Sequence, residues 1–227
     1  MADVPGQRQN PTAFARTAAS LAALSLLPCL LWLGRIAYTG HLTYAHVLWN
    51  LFLAWVPVLL AWVAARPAST PLWVRAWAAV GWLVFLPNSP YLITDLIHLR
   101  PSGQIPLLYD GLLLFSLGLS GLVIGLTTVF WMEQAVATRF GRWVRLAFSL
   151  GAMGMAGFGV YVGRFLRWNS WDIVFRPVAV VRELVPYALH PLFHWRGWAV
   201  AALFTLLFAS VYWPLRALAL SHSEGSA

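Results

Sequence analysis

Two stretches of the chain concentrate side chains that can do chemistry. The first runs Phe85-Leu86-Pro87-Asn88-Ser89-Pro90-Tyr91-Leu92-Ile93-Thr94-Asp95-Leu96-Ile97-His98-Leu99. The second runs Tyr161-Val162-Gly163-Arg164-Phe165-Leu166-Arg167-Trp168-Asn169-Ser170-Trp171-Asp172. Asp95 and His98 stand three apart, a carboxylate and an imidazole on one helical face, suited to acid–base work or to a metal ion. His190 and His194 add an i, i+4 pair with Pro191 between them, and a catalytic zinc ion needs three protein ligands and a water. Arg164 and Arg167 share a face, and guanidinium groups fork onto carboxylates or phosphate-like anions; Asn169 and Asp172 lie just beyond them. Asp110 opens an apolar run after Tyr109. It is a catalytic candidate and equally a favourable acid at a helix N-terminus. Ser89 and Ser170 are conceivable nucleophiles, but no GxSxG elbow frames either.

The elements that must position these groups belong to a membrane. Of 227 residues, 15 are basic and 7 acidic, and 60% are hydrophobic. That composition leaves too little polar surface to cover a soluble enzyme and excludes intrinsic disorder. Every basic residue is Arg. Nucleic-acid binding is excluded despite the net charge of +8, because the arginines are dispersed between apolar runs. The single Cys29 permits no disulfide and no Cys-based zinc site within one chain. No Gly-rich phosphate loop or Walker motif is present, and the sequence leaves any cofactor unknown.

Six long charge-free gaps read as membrane-spanning helices: Thr17–Gly34, Ile36–Ala65, Ala76–Thr94, Gly111–Met132, Leu146–Gly163 and Gly197–Leu215. The expected fold is therefore all-α and polytopic, one transmembrane domain over residues 1–227 with flexible tails at 1–15 and 221–227. The first span reads as an uncleaved anchor, since no small-x-small cleavage pattern follows it. A cytoplasmic N-terminus puts Arg8, Arg16, Arg66, Arg75, Arg139, Arg142, Arg145 and Arg216 inside. The last outer loop, Arg164–Arg196, breaks this bias with five arginines. Within it, Val178–Val185 is framed by Pro177 and Pro186 and suits a segment lying on the membrane surface.

The third span is irregular by composition. Pro87 and Pro90 remove two backbone donors, so a break near Asn88 is expected, with Ser89 capping a restart at Pro90. The restarted segment would align Tyr91, Thr94 or Asp95, and His98, while Asn88 satisfies freed backbone groups. A kink with an interfacial cap explains the same residues without function. The small residues of Leu146–Gly163, with Ser116, Ser120, Gly121 and Gly125 of the preceding span, predict close packing of those two helices. A homodimer interface is the alternative use. Two crossings separate the Asp95–Asp110 loop from the Arg164–Asp172 loop, so both face one compartment, as do His41, His46, His190 and His194.

The two quoted stretches, with Tyr109-Asp110, resemble a bacterial family of small polytopic membrane proteins known as domain of unknown function 1361. The resemblance covers most of the chain after the first span, although the family often has Ala where this chain has Ser89. It implies a multi-pass protein of a bacterial inner membrane and brings no activity, substrate or cofactor. Three functions follow from the residues. One is binding of an anionic, lipid-phosphate-like ligand at the outer interface by Arg164, Arg167 and Asn169, with Asp95 and Asp110 positioning the arginines and Asn88, Tyr91, Thr94 and Asp172 nearby. The second is an intramembrane, metal-dependent hydrolase using Asp95, His98, His190 and His194, with Asp110 as a further catalytic candidate. The third is a structural or assembly protein whose partners are membrane lipids.

Overall fold

The computed structural model describes residues 11–66, 69–101, 103–137 and 140–224, and every regular element among them is helical. Of the expected tails at 1–15 and 221–227, residues 1–10 and 225–227 lie outside the described residues, as do Arg8 and Arg139, while 11–15 and 221–224 are helical. In chain order the elements are α1 (Pro11–Thr39), α2 (His46–Ala64), α3 (Leu72–Phe85), α4 (Asn88–Tyr91), a 3₁₀ segment (Leu92–His98), α5 (Leu107–Ala137), α6 (Arg142–Phe165), α7 (Asp172–Phe175), α8 (Pro177–Leu189) and α9 (Trp195–Glu224). Five of them, α1, α2, α5, α6 and α9, are long and apolar enough to cross a membrane. The chain is an all-α polytopic membrane protein.

The sixth expected span, Ala76–Thr94, differs. Its regular part, α3, has 14 residues, about 21 Å of helix against a hydrocarbon core of roughly 30 Å. The backbone stays right-handed past its end, at Leu86 (φ −50°, ψ −41°) and Pro87 (φ −58°, ψ −26°). The hydrogen-bond pattern tightens instead: the Ser89 amide donates to Leu86 O, one residue short of the α-helical partner. That leaves Phe85 O to the Asn88 side chain, whose Nδ2 donates to it at 2.9 Å. Ser89 is thus no helix cap. It lies inside α4, fully buried, and its hydroxyl donates to Ala54 O of α2 at 3.0 Å.

The described chain forms two compact units, Met1–Arg139 and Phe140–Ala227. In the first, α5 is the centre, with Leu113, Leu114, Leu117 and Ile124 wholly buried. It packs against α1, α2, α4 and the 3₁₀ segment, and α2 packs against α3. The α5 glycines permit the close approach: a Cβ on Gly121 would overlap Ser89 O, and one on Gly118 would stand 3.0 Å from Ile93 Cα. Their partner within this unit is therefore the stretch from Ser89 to Ile93.

In the second unit α6 packs against α9, where Gly157 fits against Ala201 O and Thr205. Helix α8 buries Val180 and Tyr187 and exposes Val178, Val181, Val185 and Leu189. Its 13 residues reach only about 20 Å, too short to span a bilayer.

Candidate metal centre

The connection between α1 and α2 reverses the chain through two left-handed residues, Gly40 (φ 70°) and Tyr44 (φ 63°). Helix α2 then starts at His46, and its spacing sets His46 and Asn50 one above the other. The 3₁₀ segment has a three-residue period, so Leu92, Asp95 and His98 form one row along it. Leu92 and Asp95 point inward, 0% and 1% exposed, and His98 is exposed at the end of the row. Docking of α2 beside this segment closes the site. Ligand atoms of His46, Asp95 and His98 all lie within 4.8 Å of one another. Two donors on a tetrahedral zinc ion with bonds near 2.1 Å stand about 3.5 Å apart, so small side-chain rotations suffice to close on such an ion. The imidazole rings of His46 and His98 meet edge to face at 5.2 Å. Asn50 Nδ2 donates to Asp95 Oδ2 at 2.9 Å, a hydrogen bond of the kind that orients a ligating carboxylate.

Beside this cluster lies a buried ion pair. Asp110, in the first turn of α5, accepts from Arg35 Nε at 2.8 Å and from Arg35 Nη2 at 3.3 Å. The two side chains are 2% and 3% exposed, and Arg35 Nη1 is buried with no hydrogen-bond partner. The pair is stitched in place by Tyr109, whose hydroxyl donates to Leu31 O at 2.7 Å, and by Trp32, whose Nε1 donates to Thr43 O at 3.0 Å. Tyr44 lies against both groups. The Arg35 guanidinium covers its ring at 5.1 Å, and its hydroxyl donates to His98 O at 3.3 Å. Burial, and then the Asp110 carboxylate, push the Tyr44 hydroxyl above its ordinary pKa, which keeps it a donor.

Among the candidates read from sequence in the first unit, Asp95 and His98 are brought together and His46 completes them. Asn88, Tyr91 and Thr94 are half-buried along the same stretch. The Asn88 amide serves Phe85 O, and the Thr94 hydroxyl donates to Tyr91 O. Asp110 is paired with Arg35, the arginine at the end of the first span.

In the second unit, Arg164 lies in the last turn of α6 and Arg167 follows in the left-handed region (φ 60°). The Trp168 amide donates back to Val162 O across this residue, a helix-terminating turn that glycine usually supplies. Arg167→Gly is therefore expected to raise stability by about 1 kcal/mol, read as a higher melting midpoint in detergent. Asn169 and Asp172 are partners of each other: Asp172 Oδ2 accepts from the Asn169 amide at 2.8 Å and from its Nδ2 at 3.4 Å. Trp168 Nε1 donates to Glu183 Oε2 at 2.9 Å.

His190 and His194 lie in the second unit. Among the described residues the group of ligand-bearing side chains close enough for one ion is His46, Asp95 and His98. Pro191 keeps His190 out of helical geometry (φ −127°, ψ 61°) and ends α8, so the two histidines share no helical face. His194 stacks on Tyr187 at 4.0 Å instead. A shared hydroxyl contact with Tyr161 raises the Tyr187 pKa to about 12.

Sequence reasoning put His46 on the same side as Asp95 and His98 without giving it a partner, and it passed over Asn50 and Tyr44; in the structure Arg35 lies within α1 and His46 opens α2. One signal for Asn50 was present. An amide inside an apolar span is expensive and demands a partner, and its position four residues after His46 puts both on one face.

Residues 49–211 match a family described as "Protein of unknown function (DUF1361)". Asn50, Asp95, His98 and Asp110 fall inside the matched segment, while Arg35, Tyr44 and His46 precede it. No curated protein and no solved structure matches the chain.

Proposed function

This chain belongs to the DUF1361 family, and from that premise we propose that it is a membrane protein holding a zinc-class divalent ion on His46, Asp95 and His98. The observation that carries the proposal is the meeting of two imidazoles and a deeply buried carboxylate within 4.8 Å. Buried carboxylates favour a cation beside them, and two neutral imidazoles with one carboxylate is a ligand set that zinc accepts. Three protein ligands leave the fourth position open. Water there becomes a nucleophile near neutral pH, so the reaction class is hydrolysis, and an anionic, phosphate-like oxygen, a lipid headgroup included, is the natural ligand for the same position.

In this reading Pro87 and Pro90 shorten α3 so that Asp95 and His98 emerge at the membrane boundary. The arginine bias sets the N-terminus in the cytoplasm, which places the centre at the outer face of a bacterial inner membrane. Helix α8 lies in the headgroup layer with Val178, Val181, Val185 and Leu189 toward the acyl chains.

Metal analysis of the protein purified in detergent after zinc loading is expected to give about one ion per chain, lost in His98→Ala and Asp95→Asn. A content under roughly 0.1 ion per chain, or equal content in those variants, overturns the proposal.

A further inference from the structure

We propose that Tyr44 is a positioning residue of this centre, fixing the end of the 3₁₀ segment that carries His98 and tying it to the buried Arg35–Asp110 pair. The inference rests on the metal reading above. Four separate features meet at this one side chain. Its backbone is left-handed (φ 63°), a conformation costly for an aromatic residue and retained only where the surroundings over-determine it. Its hydroxyl donates to His98 O at 3.3 Å. That carbonyl stands at the end of the 3₁₀ segment, so the bond ties its last turn to the connection between α1 and α2. The ring carries the Arg35 guanidinium on its face at 5.1 Å. It also meets the His46 ring edge to face at 6.2 Å.

Each contact restrains a different part of the site. The hydroxyl sets the height of the His98 main chain, and the ring limits the rotation of His46. Arg35, locked by Asp110 in α5, anchors the ring from the far side. A ligand held this way needs little reorganisation when an ion arrives. Loss of outer contacts that orient metal ligands characteristically costs 10–100-fold in affinity.

The test uses the full chain in detergent micelles, titrated with Co2+ and followed by its visible d–d absorption. Tyr44→Phe keeps the ring contacts and removes only the O–H donor. It is expected to weaken Co2+ binding by about 10-fold and to alter the absorption envelope, while the melting midpoint of the metal-free protein stays at the wild-type value. Tyr44→Asn tolerates the left-handed backbone but loses ring and hydroxyl together, and it is expected to weaken binding further. Wild-type affinity and spectrum in Tyr44→Phe overturn the positioning role while leaving the metal centre intact. So does a loss matched by an equal drop in the metal-free midpoint. A wild-type protein that takes up no Co2+, or a His98→Ala variant that binds as the wild type does, removes the metal centre itself and the role of Tyr44 with it.

Discussion

Asp110→Ala is expected to cost about 3–5 kcal/mol of stability, the largest loss of any single substitution outside the helix core. Arg35 and Asp110 are 3% and 2% exposed and make two hydrogen bonds to each other. Solvent screening, which reduces surface pairs to about 1 kcal/mol or less, does not apply at that depth. Removing the carboxylate leaves a guanidinium that cannot neutralise itself and already has one donor, Nη1, without a partner. Arg35→Ala leaves the complementary buried anion and should cost a similar amount. Arg35→Met with Asp110→Leu replaces both charges by apolar groups of similar size and is expected to recover most of the loss, because the desolvation of two ions is then no longer required. The measurement is the denaturation midpoint of the purified protein in a fixed detergent. Should either single substitution fall within about 0.5 kcal/mol of wild type, the pair is hydrated and the argument fails. The double variant also separates stability from function: it should fold yet bind metal less tightly, since the anchor of Tyr44 has gone.

The spans were legible because lipid makes charge expensive, so the apolar gaps mark helices whatever else the sequence encodes. Their edges were less so. The gap Ile36–Ala65 contains the end of α1, a turn and all of α2, because that turn is built from Gly40 and Tyr44, which carry no charge. Asp95 and His98 stood out as polar residues ending an apolar run. Their partner His46 did not, since nothing local in the sequence says which helix docks beside the 3₁₀ segment. Counting membrane crossings puts Asp110 in one compartment with the arginines of a later loop. Compartment is not contact, and the ion pair is made with Arg35 at the end of the first span. The i+4 spacing of His190 and His194 suggested a shared face that Pro191 removes by ending the helix.

The small residues of α5 were read as a surface for the following helix, and within its own unit this stripe holds the irregular stretch after α3. Gly121→Ala tests that assignment. In an ordinary helix interior Gly→Ala gains about 0.5–1 kcal/mol from lost unfolded-state freedom. At Gly121 the new methyl group meets Ser89 O, with Leu92 Cβ 3.0 Å away. A main-chain oxygen has no flexible end to yield, so α4 must move away from α5. Overpacking of this kind costs about 1–3 kcal/mol and outweighs the propensity gain. Gly118 and Gly125 should be intermediate, since their nearest atoms, Ile93 Cα and Ser89 Cβ, stand at 3.0 Å. Gly151 and Gly154 in α6 have nothing within 4 Å, and Ala at either is expected to be neutral or stabilising by up to about 1 kcal/mol. Denaturation midpoints of the five variants should fall in that order, and a Gly121→Ala protein as stable as Gly151→Ala would overturn it. A loss at Gly151 or Gly154 would instead place a second chain against that face of α6. The same displacement reaches the candidate centre: Ser89 and Leu92 lead directly into the segment bearing Asp95 and His98. A Gly121→Ala protein that still folds should therefore hold its metal less tightly than Gly151→Ala, which leaves that segment untouched.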